Sequence, residues 1–199
     1  HKTLLACCLT FYLLMERKKI PTNTKMNKFD INRFREVPVC VLLAVTLITV
    51  FSLYVSNLVK SIPCGKKGVS VFLSNFVHID PYHLAANLFA LYSLSRIEIS
   101  LGWKQFVGLL LFILACNTLV EVMLHAYCPS MPCSIGFSGV LFGMMAWELV
   151  ATKKLDLMLL LSILLVVVYP SLTNKKASLQ GHLIGALSGI FAGVIWKWL

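Results

Sequence analysis

Charged residues are scarce in this sequence. They make up 13% of 199 residues, and only 8 are Asp or Glu. A soluble domain has about 25% charged residues, so the composition excludes an ordinary soluble globular protein. Hydrophobic residues make up 58% of the chain, and the mean hydropathy is +0.83. These values predict a protein that crosses the membrane several times.

The sequence also lacks a continuous basic face and a C-x-x-C pair. The net charge is +10, but Lys and Arg lie in short segments between apolar runs, which excludes nucleic acid as the expected partner. The cysteine spacing gives no indication of a metal site. Cys128 and Cys133 share one connecting segment. There they would either form a disulfide, if that side is oxidising, or stay as free thiols.

Six apolar segments follow residue 36, and helices are the only open structures that satisfy their own backbone groups in lipid. The second, fourth and fifth segments are short for a span of about 20 residues. We therefore predict an all-α membrane protein, a bundle of six transmembrane helices whose short central helices surround a water-filled cavity. The segments are Val37–Val59, Tyr82–Ile97, Gln105–Tyr127, Phe137–Ala151, Leu155–Tyr169 and Ser178–Leu199.

Residues 1–36 are interpreted as an N-terminal cytosolic segment and residues 37–199 as one membrane domain. Within residues 1–25, the apolar stretch Leu4–Met15 is too short for a span. The alternatives are a truncated helix, a signal-like segment and a non-native leader, with Met26 as a candidate native start.

The distribution of Lys and Arg indicates the orientation. These residues accumulate on the cytosolic side of membrane proteins. With both termini in the cytosol, and Lys2 left aside, twelve of them fall on that side and five on the other. The segment that contains Cys128 and Cys133 is then exoplasmic.

Ser138 lies between Gly136 and Gly139 where the fourth segment begins. A lone serine in a membrane helix usually bonds to its own backbone or to a neighbouring helix. At a helix start, however, the first N–H groups have no partner and can receive developing negative charge. The glycines leave the hydroxyl uncovered. Ser138 is therefore a candidate nucleophile.

His182 begins a glycine series in the sixth segment. Its side of the helix also carries Gly185, Gly189 and Gly193, and such a seam lets a neighbouring helix approach closely. If that neighbour is the fourth segment, the imidazole comes beside Ser138. The alternative is a packing seam with no chemical role. No carboxylate near His182 offers itself as a third catalytic member, so the simplest chemistry is a dyad of histidine base and serine nucleophile.

His83 and Asn87 are four residues apart and share a helix face. Both can donate hydrogen bonds, as stabilisation of an oxyanion in acyl transfer requires. The alternative is a polar clamp between helices. His78 is either a third member of this group or a loop histidine.

Three glutamates lie in or beside the apolar segments. Glu98 is predicted to cap or brace the cytosolic turn after the second segment. Glu121 and Glu148 lie nearer helix ends and are predicted to reach the interface, without a catalytic role.

Three motifs in chain order resemble the rhomboid family of intramembrane serine proteases. They are "HIDPYHLAANLFALY", "GFSG" and "GHLIGALSG", and "EISLG" also resembles a turn of that family. The resemblance covers about Val37 to the C-terminus and implies a six-helix form. It implies Ser138 as nucleophile and His182 as general base. His83, Asn87 and the Ser138 backbone N–H would form the oxyanion hole.

The resemblance assigns supporting roles as well. His78 matches an outer histidine that is structural or handles water, and Phe142 matches an aromatic residue packed on the catalytic imidazole. Gly136, Gly139 and Gly185 are the matching motif glycines. The Trp-Arg pair that many members carry in the first loop is absent from "GKKGVSVFLSNFVH".

The family implies hydrolysis of peptide bonds in or near substrate transmembrane segments, without metal or nucleotide. The expected partners are transmembrane proteins and the lipid bilayer. The string "IGFSGVLFG" resembles eukaryotic secretory-pathway members, which implies an ER or Golgi membrane; for a non-eukaryotic chain the expectation is the plasma membrane. The alternatives are a catalytically silent relative that binds membrane clients and a small transporter or channel subunit.

Overall fold

A computed structural model of the protein describes residues 33–59, 68–151, 157, 161, 164 and 178–196. This part of the chain is helical and contains no strand. Its helices are α1 (Arg33–Glu36), α2 (Pro38–Val55), α3 (Gly68–Ser74), α4 (Pro81–Leu101), α5 (Trp103–Tyr127), α6 (Ser138–Ala151) and α7 (Leu179–Trp196).

Three of these helices, α2, α5 and α7, are long and apolar enough to cross a membrane. The helix α6, with 14 residues, is shorter than a span, as the sequence predicted. Most of the predicted fifth segment and residues 1–32 lie outside the described residues. Within that fifth segment Leu157, Leu161 and Leu164 are helical and exposed.

The prediction that the second segment is short was wrong. The helix α4 has 21 residues, which at 1.5 Å per residue is about 32 Å and sufficient for a span. It begins at Pro81, where the Asp80 side chain accepts a hydrogen bond from Tyr82 N at 3.1 Å and caps the helix. It continues through polar residues because the bundle pairs or buries them. Hydropathy along the chain cannot anticipate that compensation.

Glu98 differs from the prediction in the element that it caps. Its two carboxylate oxygens accept hydrogen bonds from Val39 N and Cys40 N, each at 2.8 Å, so it caps the start of α2. The first N–H groups of a helix have no partner inside it, and a buried carboxylate needs such donors. Glu98 is fully buried, and this contact fixes α2 against α4.

Glu148 does not simply reach the interface. It accepts two hydrogen bonds from Arg96, at 2.9 Å from Nε and 2.7 Å from Nη2. The forked geometry is that of a bidentate arginine–carboxylate pair. Because Arg96 lies on α4 and Glu148 on α6, the pair joins the ends of these helices that were predicted to face the cytosol.

The helix α6 lies at the centre of the bundle and packs on α4, α5 and α7, most extensively on α7. Every residue from Gly139 to Trp147 is buried. A helix that is apolar around its whole circumference is expected in such a position. The nucleophile candidate is therefore carried by the most enclosed helix of the described structure.

Candidate active site

Ser138 is the first residue of α6, and His182 lies in the first turn of α7. Their Oγ and Nε2 atoms are 3.0 Å apart, within hydrogen-bond distance. Ser138 is half-buried and His182 is 8% exposed. The residues that the sequence marked as nucleophile and base candidates are thus brought together at the same end of the bundle.

The glycines of the sixth segment determine this proximity. A Cβ atom at Gly185 would overlap the Gly139 carbonyl oxygen, and one at Gly189 would overlap that of Gly143. Backbone therefore rests on backbone where α6 and α7 cross, which only glycine permits. The imidazole one turn before Gly185 consequently reaches the start of α6.

The backbone before Ser138 is also constrained. Gly136 has φ +109°, a conformation that side chains other than glycine rarely adopt, and its N–H donates to Ser74 O at 3.0 Å. A Cβ atom there would lie 2.5 Å from His83 Cε1. The turn into α6 therefore depends on Gly136 and places the His83 ring against the backbone just before Ser138.

His83, Asn87 and His78 form one cluster at the start of α4. Asn87 Nδ2 is 3.0 Å from His78 Nε2 and donates to His83 O at 2.9 Å. The two imidazole rings have centroids 5.0 Å apart. Burial, and secondarily the neighbouring His83, lowers the pKa of His78 to about 4. A neutral His78 can accept a hydrogen bond from Asn87.

Phe142 lies one turn after Ser138, and its ring centroid is 4.5 Å from that of His182. This contact fills one side of the imidazole with apolar surface and restricts its rotation. The position matches the one implied by the sequence resemblance. Gly139 lies against α7, where an added Cβ would be 3.0 Å from Gly181 O.

Sequence reasoning missed two features that support this region. Glu121 is buried and accepts a hydrogen bond from Ser134 N at 3.0 Å, so the prediction that it reaches the interface was wrong. The carboxylate is satisfied by a backbone N–H from a segment distant in sequence, which no spacing rule indicates. Ser178 was named only as the start of the sixth segment, but its hydroxyl accepts a hydrogen bond from Gly181 N at 3.0 Å.

The suggested disulfide between Cys128 and Cys133 is not formed. Cys128 is an exposed free thiol, whereas Cys133 is disulfide-bonded. A shared connecting segment brings two cysteines near in sequence, but the path of the chain decides which sulfur atoms meet.

Comparison with known proteins identifies the family of this sequence. The sequence model of the Rhomboid domain family matches residues 66–198, about two thirds of the chain. A rhomboid-named protein of Acanthamoeba polyphaga mimivirus (L523) is 28% identical over 129 residues, which cover 64% of this chain and 75% of that protein. No solved structure matches. On the family match, this chain belongs to the rhomboid family.

Proposed function

We propose that this protein is an intramembrane serine endopeptidase that cleaves other membrane proteins within or next to their transmembrane segments. The observation that carries the proposal is the 3.0 Å contact between Ser138 Oγ and His182 Nε2 at the start of α6. A serine hydroxyl is a weak nucleophile until an adjacent base accepts its proton. Family membership supports this chemistry over the transporter alternative.

In the proposed reaction, His182 Nε2 accepts the Ser138 proton as the oxygen attacks a substrate carbonyl. The tetrahedral oxyanion is stabilised by the Ser138 backbone N–H, by the start of α6, and by His83 and Asn87. The protonated imidazole then donates its proton to the departing amine, and an acyl-enzyme forms. Water, deprotonated by His182, hydrolyses the ester and regenerates the serine. None of these steps calls for a metal or nucleotide cofactor.

The proposed substrates are transmembrane proteins, and the proposed setting is the membrane domain of residues 37–199 with a water-accessible cavity open to the exoplasmic side. A transmembrane helix must unwind locally before its carbonyl can reach Ser138. Small or helix-breaking residues near the cut favour that unwinding. The secretory-pathway likeness of "IGFSGVLFG" supports an ER or Golgi membrane.

The decisive experiment combines a fluorophosphonate probe with a model transmembrane substrate. We expect the probe to label the wild-type protein, and both Ser138→Ala and His182→Ala to abolish labelling and cleavage at unchanged expression. Loss of the nucleophile or of its base removes the covalent step in either assay. Cleavage at the wild-type rate by either variant refutes the dyad. A wild-type protein that is neither labelled nor active indicates the silent, client-binding relative.

A second prediction concerns Asn87. We expect Asn87→Ala to lower kcat by about 10²-fold or less, the effect of losing one oxyanion donor, with a smaller change in KM. Steady-state kinetics on the same substrate measure this. Because the Asn87 amide also contacts His78, the variant His78→Ala is measured beside it, to separate the loss of this contact from the loss of an oxyanion donor. Wild-type kinetics for Asn87→Ala would exclude that side chain from the site.

A further inference from the structure

The inward face of α5 carries buried polar side chains. Asn117, Glu121 and His125 follow at intervals of four residues, and each is at most 5% exposed. Interval four places them on one side of the helix. A buried carboxylate is costly unless hydrogen-bond donors satisfy it. The partners of Glu121 therefore indicate what this face of α5 does.

Glu121 holds the segment that leads into Ser138. Its Oε1 atom accepts a hydrogen bond from Ser134 N at 3.0 Å. Ser134 precedes Ser138 by four residues, in the connection between α5 and α6. This bond satisfies one oxygen of the buried carboxyl group and ties the backbone of the connection to α5.

A second hydrogen bond links Ser134 to the residue just before α7, the helix that carries His182. Ser134 Oγ and Ser178 Oγ are 3.1 Å apart. Ser178 Oγ accepts a hydrogen bond from Gly181 N at 3.0 Å, and Ser178 O accepts one from His182 N at 3.2 Å. Ser178 thus caps α7, because its hydroxyl satisfies an N–H group of the first turn.

The backbone around the contact between Ser134 and Ser178 is closely packed. A Cβ atom at Gly181 would lie 3.0 Å from Ser134 Oγ and 3.1 Å from Ser134 Cβ. One at Gly139 would lie 3.5 Å from Asn117 Nδ2. Backbone on both sides of the dyad therefore packs against the polar side chains of α5 and of the connecting segment.

We propose that Glu121, Ser134 and Ser178 act as one positioning chain that sets the distance between Ser138 Oγ and His182 Nε2. The chain joins α5, the segment before Ser138 and the first turn of α7. Glu121 and Ser178 are positioning residues, since they act through the backbone on either side of the dyad. This inference rests on the proposed protease function. A misplacement of about 1 Å in a catalytic group can cost about 10²-fold in rate.

The test uses the full chain in liposomes with a transmembrane substrate, and kcat is expressed per active site titrated with the fluorophosphonate probe. We expect Glu121→Leu to lower this kcat by about 10- to 100-fold, with KM changed less than about threefold. Glu121→Gln keeps an acceptor oxygen and should stay within about threefold of wild type. Ser130→Ala, an exposed serine of the same connection, is the matched control and should equal wild type.

A double-mutant cycle tests whether the residues act as one chain. Ser178→Ala should also lower kcat per titrated site, Ser178→Thr should restore it, and Ser178→Ala combined with Glu121→Leu should lose little more than the worse single variant. Residues in one hydrogen-bond network give such non-additive effects. A merely structural defect would reduce the titrated fraction and leave kcat per site unchanged.

Several outcomes overturn the inference. They are wild-type kcat per site in Glu121→Leu, equal damage from Glu121→Gln and Glu121→Leu, and fully multiplicative losses in the double variant. If Glu121→Leu does not fold, the comparison of Ser178→Ala with Ser178→Thr decides, and equal rates for both refute the chain. An inactive wild-type protein instead refutes the proposed function, and the inference that rests on it.

Discussion

At the scale of single residues, Ser138 is unusual because of its surroundings and not because of its side chain. It begins a helix, the glycine two residues before it has a positive φ, and an imidazole nitrogen lies 3.0 Å from its oxygen. The N–H groups of the first turn have no acceptor within the helix. Gly136 connects these features, since its conformation sets the entry into α6 and its missing side chain leaves room for His83.

Gly136→Ala is therefore predicted to abolish activity. An alanine at this position would have to adopt a positive φ, which side chains other than glycine rarely do. Its Cβ atom would also lie 2.5 Å from His83 Cε1, so the turn or the ring must move. We expect probe labelling of Ser138 to fall by at least about 10²-fold, the size of effect expected from a 1 Å misplacement. Labelling rates at matched protein concentration measure it.

Gly108→Ala is the matched control for this variant. Gly108 lies on α5, is exposed, and an added Cβ would meet nothing within 4 Å. Alanine also has the better helix propensity, so labelling should match the wild type. Equal labelling of Gly136→Ala and Gly108→Ala would show that the Gly136 turn is not required.

At the scale of elements, the pair α6 and α7 decides the site. The two helices touch backbone to backbone at Gly139 with Gly185 and at Gly143 with Gly189. In lipid, helix association depends on such packing and not on a hydrophobic driving force. The same seam that stabilises the pair also sets how far the His182 imidazole is from α6.

Gly185→Ala is predicted to lower both stability and activity. The methyl group would overlap the Gly139 carbonyl oxygen, and overpacking of this kind costs about 1–3 kcal/mol in the free energy of unfolding. Unfolding in mixed micelles measures the stability, and kcat on a transmembrane substrate measures the activity. Leu187→Ala, on the exposed face of α7, is the control and should keep the wild-type kcat. Unchanged stability in Gly185→Ala would contradict the close contact.

At the scale of the whole molecule, the described helices give an integral membrane protein whose proposed site lies near one end. Ser138, His182 and the start of α4 lie at the end for which the distribution of Lys and Arg predicts the exoplasmic side. The ion pair of Arg96 with Glu148 and the Glu98 cap of α2 lie at the opposite end. Polar contacts at both ends thus hold the apolar helices in register.

This orientation predicts the labelling of cysteines in intact membranes. Cys128 is exposed and free at the end of α5, so a membrane-impermeant maleimide should label it from the exoplasmic side. Cys40 is buried, and Cys116 lies within the membrane span α5, so neither should react. Cys128→Ser is the control that removes the signal. Labelling of Cys128 only from the cytosolic side would reverse the predicted topology.

The sequence by itself determined the helical membrane class, the family motifs and most helix positions. Apolar runs long enough for lipid leave the backbone few alternatives. The start of α6 at Ser138 was likewise readable, because glycines flank that serine where an apolar run begins. The length of α4 was not, since Arg96 and Glu98 near its end are compensated by partners on α6 and α2.

Only the tertiary structure decided which distant groups meet. Glu98 caps α2, Glu148 pairs with Arg96, and Glu121 holds Ser134, although the sequence suggested a turn brace and two interfacial carboxylates. Cys128 and Cys133, close in sequence, are not joined to each other. A buried charge binds whichever donor the packing of the helices brings to it, and that packing depends on contacts between segments far apart in the chain. Local pattern therefore predicts the helices, whereas the partners of their polar side chains follow from the fold.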